Sequence, residues 1–169
     1  AGGRARRWPG PQRRRPHGDR DRGAGAHGAA VAGTKVDMGT RCLLGFLARM
    51  NRMASTAVDL GCGTGVIAAA LARERQWLRV TATDQSAAAV SSAAATAAAN
   101  ELSARVQVLS DDAMSTQPDA SVDLILCNPP FNTATSLNAG AALRLLDASR
   151  RVLATGACLE AVANAYLTT

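Results

Sequence analysis

The stretch Val58-Asp59-Leu60-Gly61-Cys62-Gly63-Thr64-Gly65 constrains this chain more than any other. A short apolar run at 56–60 reads as a strand, and glycine then stands at every second position before a segment rich in Ala and Leu begins. Glycine enters positive φ at little steric cost, so this spacing predicts a strand that turns sharply into a helix.

The same alternation continues along the chain. Thr40 is the expected cap of a first helix carrying Leu43, Leu44, Leu47 and Met50 at helical spacing. Strands follow at 56–60, 79–83, 105–109, 122–127 and 157–163, with helices at 65–76, 86–99 and 138–153. Strands separated by helices imply parallel pairing through crossovers, which predicts an α/β doubly wound, mostly parallel Rossmann-like sheet. The run from Ser86 to Asn100 is low in complexity, but alanine is the best helix former, Ser86 is a good N-cap and Asn100 a suitable C-terminal residue. A slim helix packed closely on the sheet is expected there.

Charge divides the chain in two. Residues 1–23 hold eight arginines against Asp19 and Asp21, a surplus equal to the whole formal charge of +6. Beyond them, eleven basic and eleven acidic residues balance. Residues 1–33 are rich in Gly, Pro and Arg and poor in aliphatic side chains, so they are expected to form a disordered tail ahead of a domain at 34–169. The tail is either a basic arm for RNA phosphates or a solvated extension.

Cys42, Cys62, Cys127 and Cys158 form no Cys-x-x-Cys pair, and both histidines, His17 and His27, precede residue 33. Neither a metal site nor a disulfide framework is indicated, which fits a reducing cytoplasm. No segment has the length of a membrane span.

In open parallel sheets, ligands bind beyond the carboxyl ends of the strands. Gly61, Gly63 and Gly65 lie at such an end, although a tight turn without a ligand would use the same residues. A dinucleotide fingerprint requires Gly-x-Gly-x-x-Gly, and Val66 occupies the third glycine position. Asp84, at the end of the second strand, is placed like an acid that accepts hydrogen bonds from ribose hydroxyls.

A second motif, Asn128-Pro129-Pro130-Phe131, follows the strand at 122–127. The Asn128 side-chain carbonyl and the Pro129 main-chain carbonyl suit the two hydrogens of a planar amine, and the prolines stiffen the turn. Phe131 offers a face on which a base can stack. The plainer alternative is a proline turn with Asn128 as a local cap and Phe131 in the core.

Together these motifs resemble the class I S-adenosylmethionine-dependent methyltransferases. The resemblance implies that Asp59 lies near the methionine end of the cofactor and that Gly61-Cys62-Gly63-Thr64-Gly65 passes beneath methionine and ribose. It further implies that Asp84 takes the ribose hydroxyls and that Asp112-Ala113 takes the adenine amine, with Asp111 a rival in register. Asn-Pro-Pro-Phe is similar to the motif of bacterial ribosomal RNA guanine-N2 methyltransferases of the small-domain type, over about residues 33–168. Asn-Pro-Pro-Tyr is commoner in adenine- and glutamine-modifying relatives.

The segment Gly33-Thr34-Lys35-Val36-Asp37-Met38-Gly39-Thr40-Arg41 is similar to the family's stretch before the first strand, which closes over the cofactor. The expected activity is methyl transfer to an exocyclic amine, guanine N2 of ribosomal RNA, with ribosomal RNA or a ribosomal subunit as partner. No metal is required, and no membrane is expected. A non-catalytic cofactor- or RNA-binding module and an adenine-N6 or protein-amide methyltransferase remain alternatives. Two departures stand out. Asn132 occupies a position where relatives often carry His, and the chain stops at Thr169, where the family continues through a helix and a terminal hairpin. A fragment lacking that hairpin is expected.

Overall fold

The computed structural model describes residues 36–129 and 136–162. The arginine-rich segment 1–33, Lys35, Pro130, Phe131 and Asn132 lie outside them.

Strands β1 (Thr56–Leu60), β2 (Arg79–Asp84), β3 (Val106–Ser110), β4 (Val122–Cys127) and β5 (Leu153–Ala161) form one sheet in the order β3-β2-β1-β4-β5. Every pairing is parallel. Helices α1 (Met38–Phe46), α2 (Val66–Glu74), α3 (Ala87–Ala99) and α4 (Ser136–Val152) complete the described elements, with a 3₁₀ turn at Leu47–Arg49. The central strand β1 is buried from Ala57 to Leu60, as expected of a parallel strand covered on both faces.

Two apolar clusters give the sheet its two covered faces. One joins Leu43, Leu47 and Met50 to Leu71, Val80, Leu124 and Leu126. The other joins Val58, Leu60, Met114, Ile125, Cys127 and Val152. Leu71 and Leu124 are wholly buried, and each such side chain contributes about 1.5–3 kcal/mol. The Ala-rich α3 begins at its Ser86 cap and ends at Asn100, and its buried face is made of small side chains such as Ala89, Ala93 and Ala97. Small residues permit close approach: a Cβ added to Gly65, at the start of α2, would lie 2.8 Å from the Ala93 Cβ.

Two expectations need correction. The cap of α1 is Asp37, because its Oδ1 accepts the Thr40 amide at 3.0 Å and leaves Thr40 inside the first turn. A carboxylate is a strong N-cap, and here it also receives the Thr40 hydroxyl at 2.7 Å. Strand β5 begins directly after α4, because Leu153 already pairs with Val122; the register then shifts around Gly156, whose φ is 81°, before Cys158 pairs with Leu124.

Candidate active site at the carboxyl ends of the strands

The sheet reverses direction of growth at β1, since β2 lies on one side of it and β4 on the other. Such a switch point opens a crevice at the strands' carboxyl ends. Leu60 pairs with Thr83 on one side and Cys127 on the other. Adjacent strands are about 4.8 Å apart. The glycine turn therefore emerges between Asp84 and Asn128.

The turn is held by its backbone. Gly61 and Cys62 both donate their N–H groups to the Thr83 carbonyl at 2.9 Å. The Gly63 N–H donates to Asp84 Oδ2 at 3.0 Å, and the Ser86 N–H to Asp84 Oδ1 at 2.9 Å. At Gly63, φ is 51° and an added Cβ would project into open space, so it is backbone conformation that favours glycine there.

Gly65 opens α2 without a side chain to cap it. Asp59 supplies the missing cap from inside the sheet: its Oδ2 accepts the Ala68 N–H at 2.9 Å. The other oxygen, Oδ1, is buried without a partner. Burial pushes the Asp59 carboxyl up to about 7; the Ala68 hydrogen bond opposes this, and the negative charge of Asp84 adds to it. Burial likewise raises the Cys62 thiol, with Asp59 and Asp84 reinforcing the shift, and pushes Cys127 up to about 12. Neither cysteine is suited to nucleophilic work at neutral pH.

The two aspartates after β3 are separated by their environments. Asp111 is buried and accepts hydrogen bonds from the Ser115 hydroxyl and from the amide and hydroxyl of Thr116. Asp112 is exposed, and its side chain lies 3.8 Å from Arg144 at the surface. Ala113 and Met114 then adopt φ of 52° and 58°, unusual for residues with a Cβ, while Met114 plugs the second apolar cluster. Asp111 thus holds the loop and Asp112 faces outward.

Asn128 is half-buried and Pro129 buried beside it. Asn128 Nδ2 donates to Asp37 Oδ1 at 3.0 Å and to Thr40 Oγ1 at 3.1 Å. Burial alone would raise the Asp37 carboxyl, but hydrogen bonds from Thr40, Asn128 and Gly39 outweigh it and hold the group below the usual carboxylate range. In sequence, Thr40 reads as a helix cap and lies with Asp37 in the 33–41 segment, without any pointer to Asn128. Their spacing of three residues signals a helix start, but nothing local signals a partner 91 residues away.

A parallel sheet with a glycine turn and an Asn-Pro turn at its switch point defines a Rossmann-like methyltransferase architecture. The chain matches the methyltransferase small domain over residues 26–169, and it belongs to that family.

Over 141 residues it is 37% identical to the ribosomal RNA large subunit methyltransferase G of Streptomyces coelicolor, covering 83% of this chain and 37% of the relative. The chain thus spans about a third of the length of the curated relatives it matches. Among solved structures it resembles the cyclase SpnF, with a TM-score of 0.60 and 28% identity over 72% of this chain and 44% of the other. It also shares its fold with a methyltransferase from Thiobacillus denitrificans solved with S-adenosyl-L-homocysteine, with a TM-score of 0.53 and 24% identity over 70% of this chain and 45% of that one. A cyclase on this fold means that chemistry must be argued from the site.

S-adenosylmethionine is the methyl donor of this class, and the residues present fit it. Asp59 Oδ1 is an acceptor with no protein donor, and the glycine turn leaves open space above Gly61 and Gly63. Among the described residues, no group of three His, Cys, Asp or Glu side chains is placed to hold a metal ion, and no helix is long and apolar enough to cross a membrane.

Proposed function

We propose that residues 34–169 carry the cofactor-binding and methyl-transfer site of a ribosomal RNA N-methyltransferase acting on an exocyclic amine, guanine N2, with residues 1–33 as an appended basic tail. The observation that carries this reading is the register of β1 and β4. Leu60 pairs with Cys127, so the glycine turn and the Asn128 turn leave the sheet side by side. The relatives named as ribosomal RNA methyltransferases support the substrate class. Guanine rests on Phe131 in place of tyrosine.

When bound, the cofactor supplies an electrophilic methyl group on a sulfonium. The chain's own task is alignment and exclusion of water. Asp84 accepts the ribose hydroxyls while steadying Gly63. Gly61, Cys62, Gly63 and Gly65 pass under methionine and ribose, Asp59 receives the methionine end, and Asp112-Ala113 receives the adenine amine. At the reacting end, the Asn128 and Pro129 carbonyls accept the amine's hydrogens and aim its lone pair. Pro130 stiffens the turn, and Phe131 stacks on the base.

Methyl-labelled cofactor, incubated with the chain and large-subunit ribosomal RNA and followed by nucleoside analysis, tests this. Label in N2-methylguanosine is expected. Label in N6-methyladenosine or in protein would overturn the target, and absence of both label and calorimetric cofactor binding would overturn the reading.

A further inference from the structure

We propose that Asp37 and Thr40 are positioning residues that fix which edge of the Asn128 carboxamide meets the acceptor amine, and that Gly39 keeps the space this orientation needs. The inference rests on Asn128 as the group that receives the amine's hydrogens.

A carboxamide has two nearly isosteric edges, one that donates and one that accepts. An amine about to attack must keep its lone pair free, so only the oxygen edge helps it. Asn128 directly follows β4, which ends at Cys127. The first turn of α1 decides between the two edges.

The Asp37 carboxylate has no hydrogen to give. The Thr40 hydroxyl has one, and it points to Asp37 Oδ2 at 2.7 Å. The Thr40 amide goes to Asp37 Oδ1 at 3.0 Å. What remains for Asn128 is a pair of acceptors, Asp37 Oδ1 at 3.0 Å and Thr40 Oγ1 at 3.1 Å, and Nδ2 fills both. Rotating the amide would press its oxygen against a carboxylate and a hydroxyl lone pair. Both amide hydrogens are therefore committed, and Oδ1 is left for the substrate.

Gly39 completes the arrangement sterically. A Cβ at this position would lie 2.3 Å from Asn128 Oδ1 and 2.9 Å from its Cγ. Gly39 sits within α1 and is not among the glycines with positive φ, so its backbone admits alanine, and alanine is the better helix former. Helix preference alone favours a methyl side chain at this position; the Asn128 amide forbids it.

The full chain is tested with Asp37→Ser, Gly39→Ala and Asn128→Ala, singly and with each of the first two combined with the third. Serine keeps a good N-cap but is too short to order both Thr40 and Asn128. Asp37→Ser is expected to lower kcat at least tenfold, with cofactor Kd within twofold of the parent and no further loss on the Asn128→Ala background. Gly39→Ala should lower kcat by displacing the Asn128 amide, with cofactor Kd within twofold of the parent. In ¹⁵N NMR, the Asn128 side-chain amide pair, identified by its absence from Asn128→Ala, should exchange slowly in the parent and rapidly in Asp37→Ser.

A parental rate retained in Asp37→Ser while Asn128→Ala is slow would overturn the clamp and leave Asn128 standing. Losses that multiply in the double variant would show a merely structural role for Asp37. If Asn128→Ala itself keeps the parental rate, the reading of Asn128 fails instead. An amide pair that exchanges equally fast in parent and variant overturns the clamp whatever the activity.

Discussion

The two ends of the sheet treat the same side chain in opposite ways. At the amino end, Asp123 of β4 accepts four hydrogen bonds at one oxygen, from the amides and hydroxyls of Ser55 and Thr56, at 2.8–3.0 Å. The Ser55 amide and hydroxyl, then the Thr56 amide, pull its carboxyl down to about 2, against a small opposing effect of burial. At the carboxyl end, Asp59 of the neighbouring β1 has one donor, one empty oxygen and a carboxyl pushed up to about 7 by burial. Arg75 extends the pattern at the amino end. It is buried, yet its guanidinium donates to the carbonyls of Leu47, Met50 and Asn51, tying the 3₁₀ turn beneath the sheet. Asp123 and Arg75 are paired where they hold the fold, whereas Asp59 keeps one oxygen open beside the glycine turn.

Four experiments can break or sharpen this contrast. The largest effect is expected at the open end: Asn128→Ala should lower methyl-transfer turnover about 10²–10³-fold, the scale of losing one oriented polar group in a transition state. Its melting temperature should stay within a few degrees, measured alongside the rate.

Next comes the closed end. Arg75→Ala leaves three carbonyls without their donor and should cost about 3 kcal/mol of stability in urea unfolding. Cofactor affinity of the folded fraction should not change.

Asp84→Ala should weaken cofactor binding by about 1.5–3 kcal/mol, roughly ten- to a hundredfold by calorimetry, whereas Asp123→Ala should not. Equal losses in both would dissolve the distinction between the ends.

The effect smallest per step of the variable is a slope. Because the Asp59 carboxyl is higher in the folded chain than its ordinary value of 3.8, the unfolded chain releases this proton first as pH rises. Asp59 should therefore lower the stability of the cofactor-free protein progressively between about pH 4 and about 7, by at most on the order of 1 kcal/mol per pH unit. Asp59→Asn should remove that dependence. Asp123 has the opposite sign: its contribution is present above the ordinary carboxylate range and fades as pH falls toward about 2.

How much of this was legible beforehand depended on whether the signal was local. Strands β1 and β4 followed from apolar runs bounded by Gly61 and Asn128, and α3 from Ser86 and its alanines. The start of α1 was misread because Asp37 and Thr40 are both good caps, and only their mutual geometry ranks them. The start of β5 was hidden because Leu153 and Ala154 continue the composition of α4, and strand pairing rather than propensity claims them. Asp111 and Asp112 are indistinguishable as letters; Ser115 and Thr116 separate them in space. Arg75 reads as one more surface charge on a helix until the carbonyls of residues 47–51 arrive around it. The fold was written in periodicity, whereas the clamp on Asn128 depends on contacts across most of the chain.

The close approach of Gly65 to Ala93 has a consequence for how such a sequence is read. A filter for low complexity would discard the run of alanines between Ser86 and Asn100 as carrying little information. Its information lies in what it leaves out. The small side chain of Ala93 on α3 is room given to the start of α2, so the curvature of the glycine turn is recorded partly in a helix that contains no motif at all.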